Sequence, residues 1–382
     1  MPISPSGRYN RAVVITLVCY ISGHGFGHAV RVTEVLRQLW GRRPDVHVEI
    51  RSWLPRSFFD FELHGSFRYT QCRLDVGAVQ RDSLSVDPEA SLRAYADLIA
   101  QREALIAGEV QAMAAVNPAA MLGDIPALAF DIAGRLGLPG IAMANFSWDW
   151  IYADYVHDFP SYAYLLDDCR ASYAQASVLL RLPLHGDLSV FPRIRDIPLV
   201  ARTATLTGSD VRTRLGLPPR DRLVLLSFGG IGVDLRVPPD APRGVTFVVT
   251  QSAANRAVPP PCRLIADAEM SAAQVRHQDL VGACDAVMTK PGYGIVSECI
   301  ANATPIVYTA RGRFAEYACL VEGIRTHLPH AFISNDDLYA GRWMPALEAV
   351  FAQPRRQPAV ATNGAEVAAD VILDMLRELA IK

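Results

Sequence analysis

Lysine is nearly missing from this chain: Lys290 and Lys382 are the two in 382 residues, and arginine carries the rest of the positive charge. With 37 Lys and Arg against 39 Asp and Glu, the net charge is −2, so no excess of either sign favours nucleic acid or an anionic membrane as the main partner. Cysteine is scattered. The seven thiols (Cys19, Cys72, Cys169, Cys262, Cys284, Cys299, Cys319) form no Cys-x-x-Cys pair. That argues against a disulfide framework or a zinc cluster and fits a reducing, cytoplasmic setting. No apolar run reaches the ~18 residues of a membrane span. Asp-x-Asp, a common metal-holding signature, does not occur. Neither does a P-loop Gly-Lys-Ser/Thr or a Gly-x-Gly-x-x-Gly turn after the first apolar run.

What is present is an ordinary globular balance, 51% hydrophobic and 20% charged. At ~150 residues per domain the length suits two to three domains. Arg8 and Arg11 precede an apolar run, Ala12–Ile21, that superficially resembles a signal peptide, but no small-x-small cleavage site follows. Its Val and Ile content reads instead as a buried parallel strand. Strand-like and helix-period segments then alternate: strand 12–22, helix 29–40, strand 46–53, a long helical stretch 88–116, strand 119–123, helix 127–136 and strand 140–144. After a Pro- and Gly-containing stretch, 195–221, with a short helix at 210–215, the pattern restarts. Strands are expected at 223–227, 245–250, 286–289 and 305–309, a new unit opening at 280–283, and helices at 294–302 and 364–381. The fold expected is α/β: two Rossmann-like doubly wound domains facing across a cleft. The boundaries expected are 1–202, 203–362, and a closing helix within 363–382 that crosses back to the first domain.

The unusual clusters all follow predicted strands, where a ligand loop of such a sheet belongs. Ser22-Gly23-His24-Gly25-Phe26-Gly27-His28 places two histidines in a glycine-rich strand-to-helix turn. An imidazole can take a proton from a hydroxyl near neutral pH; the plainer reading is a tight turn with a capping histidine. Asp124 reads equally as a carboxylate orienting such a ring and as an N-cap before the helix at Ala127. In the aromatic cluster from Asn145 to Tyr152, Trp148 and Asp149 are the candidates for contact with a sugar or other acceptor, and Phe146 and Trp150 read as core. Gly229 and Gly230 open a turn in the second half. The stronger segment there is Lys290-Pro291-Gly292-Tyr293-Gly294-Ile295-Val296-Ser297-Glu298. Its glycines open a helix N-terminus suited to a diphosphate, with Ser297 available to a phosphate and Glu298 to ribose hydroxyls. Glu316 reads either as a contact for sugar hydroxyls or as a helix-start carboxylate.

These segments together resemble the GT-B nucleotide-sugar glycosyltransferases of the MurG and UDP-glycosyltransferase type. A closer likeness is to the glycosyltransferase-like N-terminal half of plant L-arabinokinases, carried by 23–31, 74–87, 145–155, Arg181-Leu182-Pro183, 290–298 and 363–368. The resemblance implies acceptor binding in the first domain and donor binding in the second. It implies His28 as base; the acceptor-side candidates read from the residues are His24, Trp148 and Asp149. Gly229, Gly230, Lys290, Gly292, Tyr293, Gly294, Ser297, Glu298 and Glu316 fall on the donor side. Arg31 stands where the family often has proline. The kinase activity of the plant proteins is not implied, since it belongs to their other half. The reading is a metal-independent inverting glycosyltransferase with no cofactor beyond its nucleotide-sugar donor, acting on a small-molecule or glycan hydroxyl. Its rivals are a catalytically silent nucleotide-sugar-binding module and a nucleotide-sugar epimerase using Asp75, Asp82 or Asp87.

Overall fold

The computed structural model describes residues 15–82, 84–229, 244–250, 262–357 and 359–380. Gly230, expected in the donor turn, and the part of the first strand before residue 15 lie outside them. The first sheet contains β1 (Thr16–Ile21), β2 (His47–Ser52), β3 (Phe67–Gln71), β4 (Ala120–Asp124), β5 (Gly140–Ala144), β6 (Val178–Arg181) and β7 (Ile194–Asp196). The order is β3-β2-β1-β4-β5-β6-β7. Its paired strands all run parallel. The second sheet contains β8 (Arg222–Ser227), β9 (Val245–Thr250), β10 (Cys262–Ile265), β11 (Ala286–Thr289), β12 (Ile306–Tyr308) and β13 (His330–Phe332), again parallel, in the order β10-β9-β8-β11-β12-β13.

Both sheets therefore reverse their winding beside the first strand, between β1 and β4 and between β8 and β11. Central strands have helices on both faces and must be apolar on both. β1, β4 and β5 are buried at every residue, whereas the edge strands β3 and β7 are largely exposed. That contrast explains which strands were legible in advance: β3, β6, β7, β10 and β13 are short or lie toward sheet edges, and were not expected. The helical stretch 88–116 divides into Pro88–Ile99, capped by the Asp87 carboxylate on the Ala90 N–H, and Arg102–Val116. Residues 280–283 close the helix His277–Ala283 rather than opening a unit.

The lobes are docked. One apolar cluster runs continuously from Leu17, Val32 and Leu36 through Leu199 and Val200 to Leu223, Val287 and Val296. The final helix, Gly364–Ala380, returns to the first lobe, where Ala365, Ala368 and Ile372 join that cluster and Asp370 pairs with Arg42 at 2.7 Å. Two loops are also exchanged. Leu84, before the helix at Pro88, is buried in the apolar cluster of the second lobe with Val224, Leu226 and Phe228. Phe314, after β12, is buried among Phe146, Trp148 and Tyr152 of the first.

Candidate active site

In an open α/β sheet the crevice for a ligand opens where the strand order reverses, at the carboxyl ends of the strands. His28 and Asp124 occupy that place in the first lobe. β1 leads into the helix Phe26–Arg42, whose third residue is His28, and Asp124 is the last residue of β4. His28 Nδ1 lies 2.8 Å from Asp124 Oδ1, with the carboxylate fully buried and the imidazole nearly so. One helical turn after His28, Arg31 grips the same carboxylate, with Nε 2.5 Å from Oδ2 and Nη2 2.5 Å from Oδ1. Burial alone would push the Asp124 carboxyl up; Arg31, and with it His28, outweighs that and holds it below the usual carboxylate range.

The polar chain continues across the cleft. Arg31 Nη1 donates to Asn145 Oδ1 at 2.7 Å, and Asn145 Nδ2 donates to Glu316 Oε1 at 2.8 Å. Arg311 Nη1 in turn donates to Glu316 Oε2 at 3.0 Å and to the Pro291 carbonyl at 3.1 Å. The Tyr293 ring lies under the Arg31 guanidinium, 5.1 Å from its carbon. Three residues of this chain were not assigned roles from the sequence: Arg31, Asn145 and Arg311. Arg31 was noticed only as a replaced proline, although its i+3 spacing puts it on the same helix face as His28.

His24 is part of a wall. Its Nδ1 accepts the Ala78 N–H at 3.2 Å, and its ring lies flat on Phe314 at 5.7 Å and edge-on to Trp148 at 5.2 Å. Burial, then Arg311, His28 and Lys290, holds its pKa well below the ordinary imidazole value. Trp148 and Asp149 correct the expectation of an acceptor surface. Trp148 is fully buried and donates through Nε1 to Asp75 Oδ2 at 3.2 Å. Asp149 is buried as well and takes Arg170 Nε at 3.3 Å. An aromatic cluster at a strand end serves here as core.

In the second lobe the β8 and β11 turns meet at the other switch point. Gly229 has φ +80, and a Cβ there would stand 3.8 Å from Lys290 Cε. Lys290 Nζ is 3.4 Å from Gln80 Oε1 of the exchanged first-lobe loop. Burial, reinforced by Arg311 and opposed by Asp82, brings its ammonium down to about 7. Gly292 precedes the helix Tyr293–Ala301 with extended backbone and open space beside it. Ser297 and Glu298 depart from the roles expected of them. The Ser297 hydroxyl donates to the Gly294 carbonyl within its own helix. Glu298 is buried and held by Arg202 Nε at 2.5 Å and His277 Nδ1 at 2.9 Å. Arg202 also reaches Glu62 of the first lobe at 2.9 Å. Burial would raise the Glu298 carboxyl, but Arg202 and His277 bring it to about 2. Glu316, expected to meet sugar hydroxyls, likewise has both oxygens engaged by protein. Among the described residues no group of three or more His, Cys, Asp or Glu could hold a metal ion, and no helix is long and apolar enough to cross a membrane.

This architecture can be compared with known proteins. The kitacinnamycin glycotransferase superposes with a TM-score of 0.58 over 96% of this chain and 95% of that one, at 16% identity. A UDP-glucosyltransferase from Polygonum tinctorium, capable of glucosylating indoxyl, gives 0.55 over 96% and 93%, at 12% identity. The glycosyltransferase VinC, solved with dTDP, gives 0.56 over 96% and 96%, at 15% identity. The chain has the GT-B glycosyltransferase fold. No protein-family model matches it. In sequence this GT-B chain is 32% identical over 370 residues to an L-arabinokinase of Arabidopsis thaliana, covering 92% of its own length. It spans about a third, 34%, of that relative. The likeness expected from the residue segments is thus found with both groups, and the GT-B switch points coincide with the His28–Asp124 pair and the Lys290–Gly294 turn.

Proposed function

We propose that this chain is a metal-independent, inverting glycosyltransferase that moves a sugar from a nucleoside-diphosphate donor to an acceptor hydroxyl. The observation that supports it is the His28–Asp124 pair, 2.8 Å apart, standing beside the glycine-opened N-terminus of the helix Tyr293–Ala301. In this reading Asp124 holds the proton on Nδ1, and Nε2 removes the acceptor hydroxyl proton as the oxygen attacks the anomeric carbon. Attack opposite the leaving group inverts that carbon. The departing diphosphate gathers negative charge, which the helix N-terminus at Gly292–Gly294 and the ammonium of Lys290 stabilise. The acceptor is a small molecule or glycan, and the setting is cytoplasmic.

A second reading has its own support. Glu298 and Glu316, the carboxylates the resemblance assigns to the donor, are both occupied by protein groups. A silent module would bind the nucleotide sugar and release it unchanged. The test is a thermal-shift screen of UDP-, GDP- and dTDP-sugars, in which a bound donor raises Tm, followed by product analysis with an acceptor panel. Transfer by the wild type that His28→Ala lacks supports the first reading. Donor binding without transfer or hydrolysis under any acceptor supports the second.

A further inference from the structure

Two nitrogens converge on one oxygen of Asp124. His28 Nδ1 and Arg31 Nη2 lie 2.8 and 2.5 Å from Oδ1, and 3.1 Å from each other. The imidazole can therefore be satisfied in two ways. With its proton on Nδ1 it donates to Asp124, and Nε2 keeps a lone pair. With its proton on Nε2, Nδ1 accepts from Arg31, and the nitrogen left toward the cleft is a donor rather than a base.

Where the guanidinium sits decides between them, and the first lobe does not set this alone. Nη1 is tethered to Asn145, Asn145 to Glu316, and Glu316 to Arg311, which is anchored on the Pro291 carbonyl at 3.1 Å. The tether holds the fork square on Asp124, one N–H to each oxygen, so that Oδ1 still faces Nδ1. Asp75, the other carboxylate near His28, is committed to Trp148.

We propose that Arg31 is a positioning residue that selects the base tautomer of His28, and that its setting is transmitted from the second lobe through Glu316 and Asn145. The base is then aimed only while the lobes are docked. A loosened tether lets Nη2 swing toward Nδ1 and puts the proton on Nε2. The consequence for catalysis rests on the transferase reading, but the tautomer itself is read in the protein alone.

The test uses the full chain labelled with 15N-histidine. Long-range 1H–15N correlation at pH 8.5 reports which ring nitrogen carries the proton, with His28 assigned through His28→Gln. The wild type is expected to show Nδ1–H. Asn145→Leu, and separately Glu316→Ala, is expected to move the greater part of the signal to Nε2–H. With an active donor and acceptor, kcat of Asn145→Leu falls about tenfold while the donor KM holds, as a misaimed base requires. Should Asn145→Leu not fold, Glu316→Ala carries the test, since Glu316 touches neither His28 nor Asp124. A wild-type Nε2–H ring, or unchanged His28 nitrogen shifts in the folded variants, overturns the proposal. A tautomer that responds in a protein lacking transfer leaves the proposal standing and removes the transferase reading; transfer without the response does the reverse.

Discussion

Gly27 and Gly294, each at the start of a helix in a different lobe, face each other so closely that a Cβ built on Gly294 would stand 3.3 Å from Gly27 Cα. The two helix N-termini that frame the site thus lie close together, and any Cβ at 294 would crowd the backbone of the facing helix. A branched side chain at 294 must push against backbone, which cannot give way as a flexible side chain can. Gly294→Val is therefore expected to separate the lobes while leaving each sheet intact. Small-angle scattering should record a larger radius of gyration, and Tm should drop by several degrees. An unchanged scattering profile would mean that the contact does not hold the cleft closed.

The Glu298 cluster gives a pH prediction. The carboxyl is held at about 2 in the folded chain, against an ordinary value of 4.5, because Arg202 and His277 overcome its burial. A depressed carboxyl contributes stability that is complete above the unfolded value and is lost as pH falls through the folded one. Integrated over that interval the contribution is on the order of 3 kcal/mol. Denaturant midpoints for the wild type and Glu298→Gln should differ most at pH 6 to 7, and the gap should close between about 4.5 and 2. A gap that persists undiminished at the acid end would show that the carboxylate charge is not what Arg202 holds.

What the sequence revealed, and what it withheld, follows one physical division. Local patterns were legible: the wholly buried strands β1, β4 and β5 and the glycine-opened helices, whereas Asp124, 96 residues from His28, read equally as its partner and as a helix cap. Partners contributed by distant segments were not. Nothing in the spacing of Arg202, His277 and Glu298 says that they converge, because Arg202 and Glu298 are 96 residues apart and His277 reaches Glu298 from a different helix. Trp148 and Asp149 misled for a related reason. A strand-end aromatic looks like a ligand platform until another loop covers it, and here Phe314 arrives from the second lobe.

Lys290 offers a probe of the donor side. With its ammonium brought down to about 7 by burial and by Arg311, it loses its proton as the pH rises past neutrality, where UDP stays anionic. In the proposed donor site, calorimetric UDP affinity should weaken from pH 7 to 9, because the diphosphate favours the charged form and binding must restore the proton that Lys290 loses over that range. Lys290→Met should bind about tenfold more weakly at pH 7, the worth of one charge-assisted contact, and should lose the slope. Equal affinities for both proteins across the range would place the diphosphate elsewhere.

Asp124 separates charge from shape. Asp124→Ala leaves Arg31 buried with neither carboxylate oxygen beside it, and stripping one partner from a buried ion pair costs about 3–5 kcal/mol. Asp124→Asn keeps an acceptor for Arg31 and the volume of the side chain, so its loss should be smaller. Its amide nitrogen, however, replaces one of the two oxygens now gripped by Arg31, and whichever way the amide lies, a donor faces a donor. Chemical denaturation is expected to rank the wild type above Asp124→Asn and that above Asp124→Ala. If both variants turn over a donor equally badly despite unequal stabilities, the carboxylate acts on His28 through its charge. If activity instead tracks stability across the two, Asp124 serves chiefly to seat Arg31, and the base is oriented by the helix that carries it.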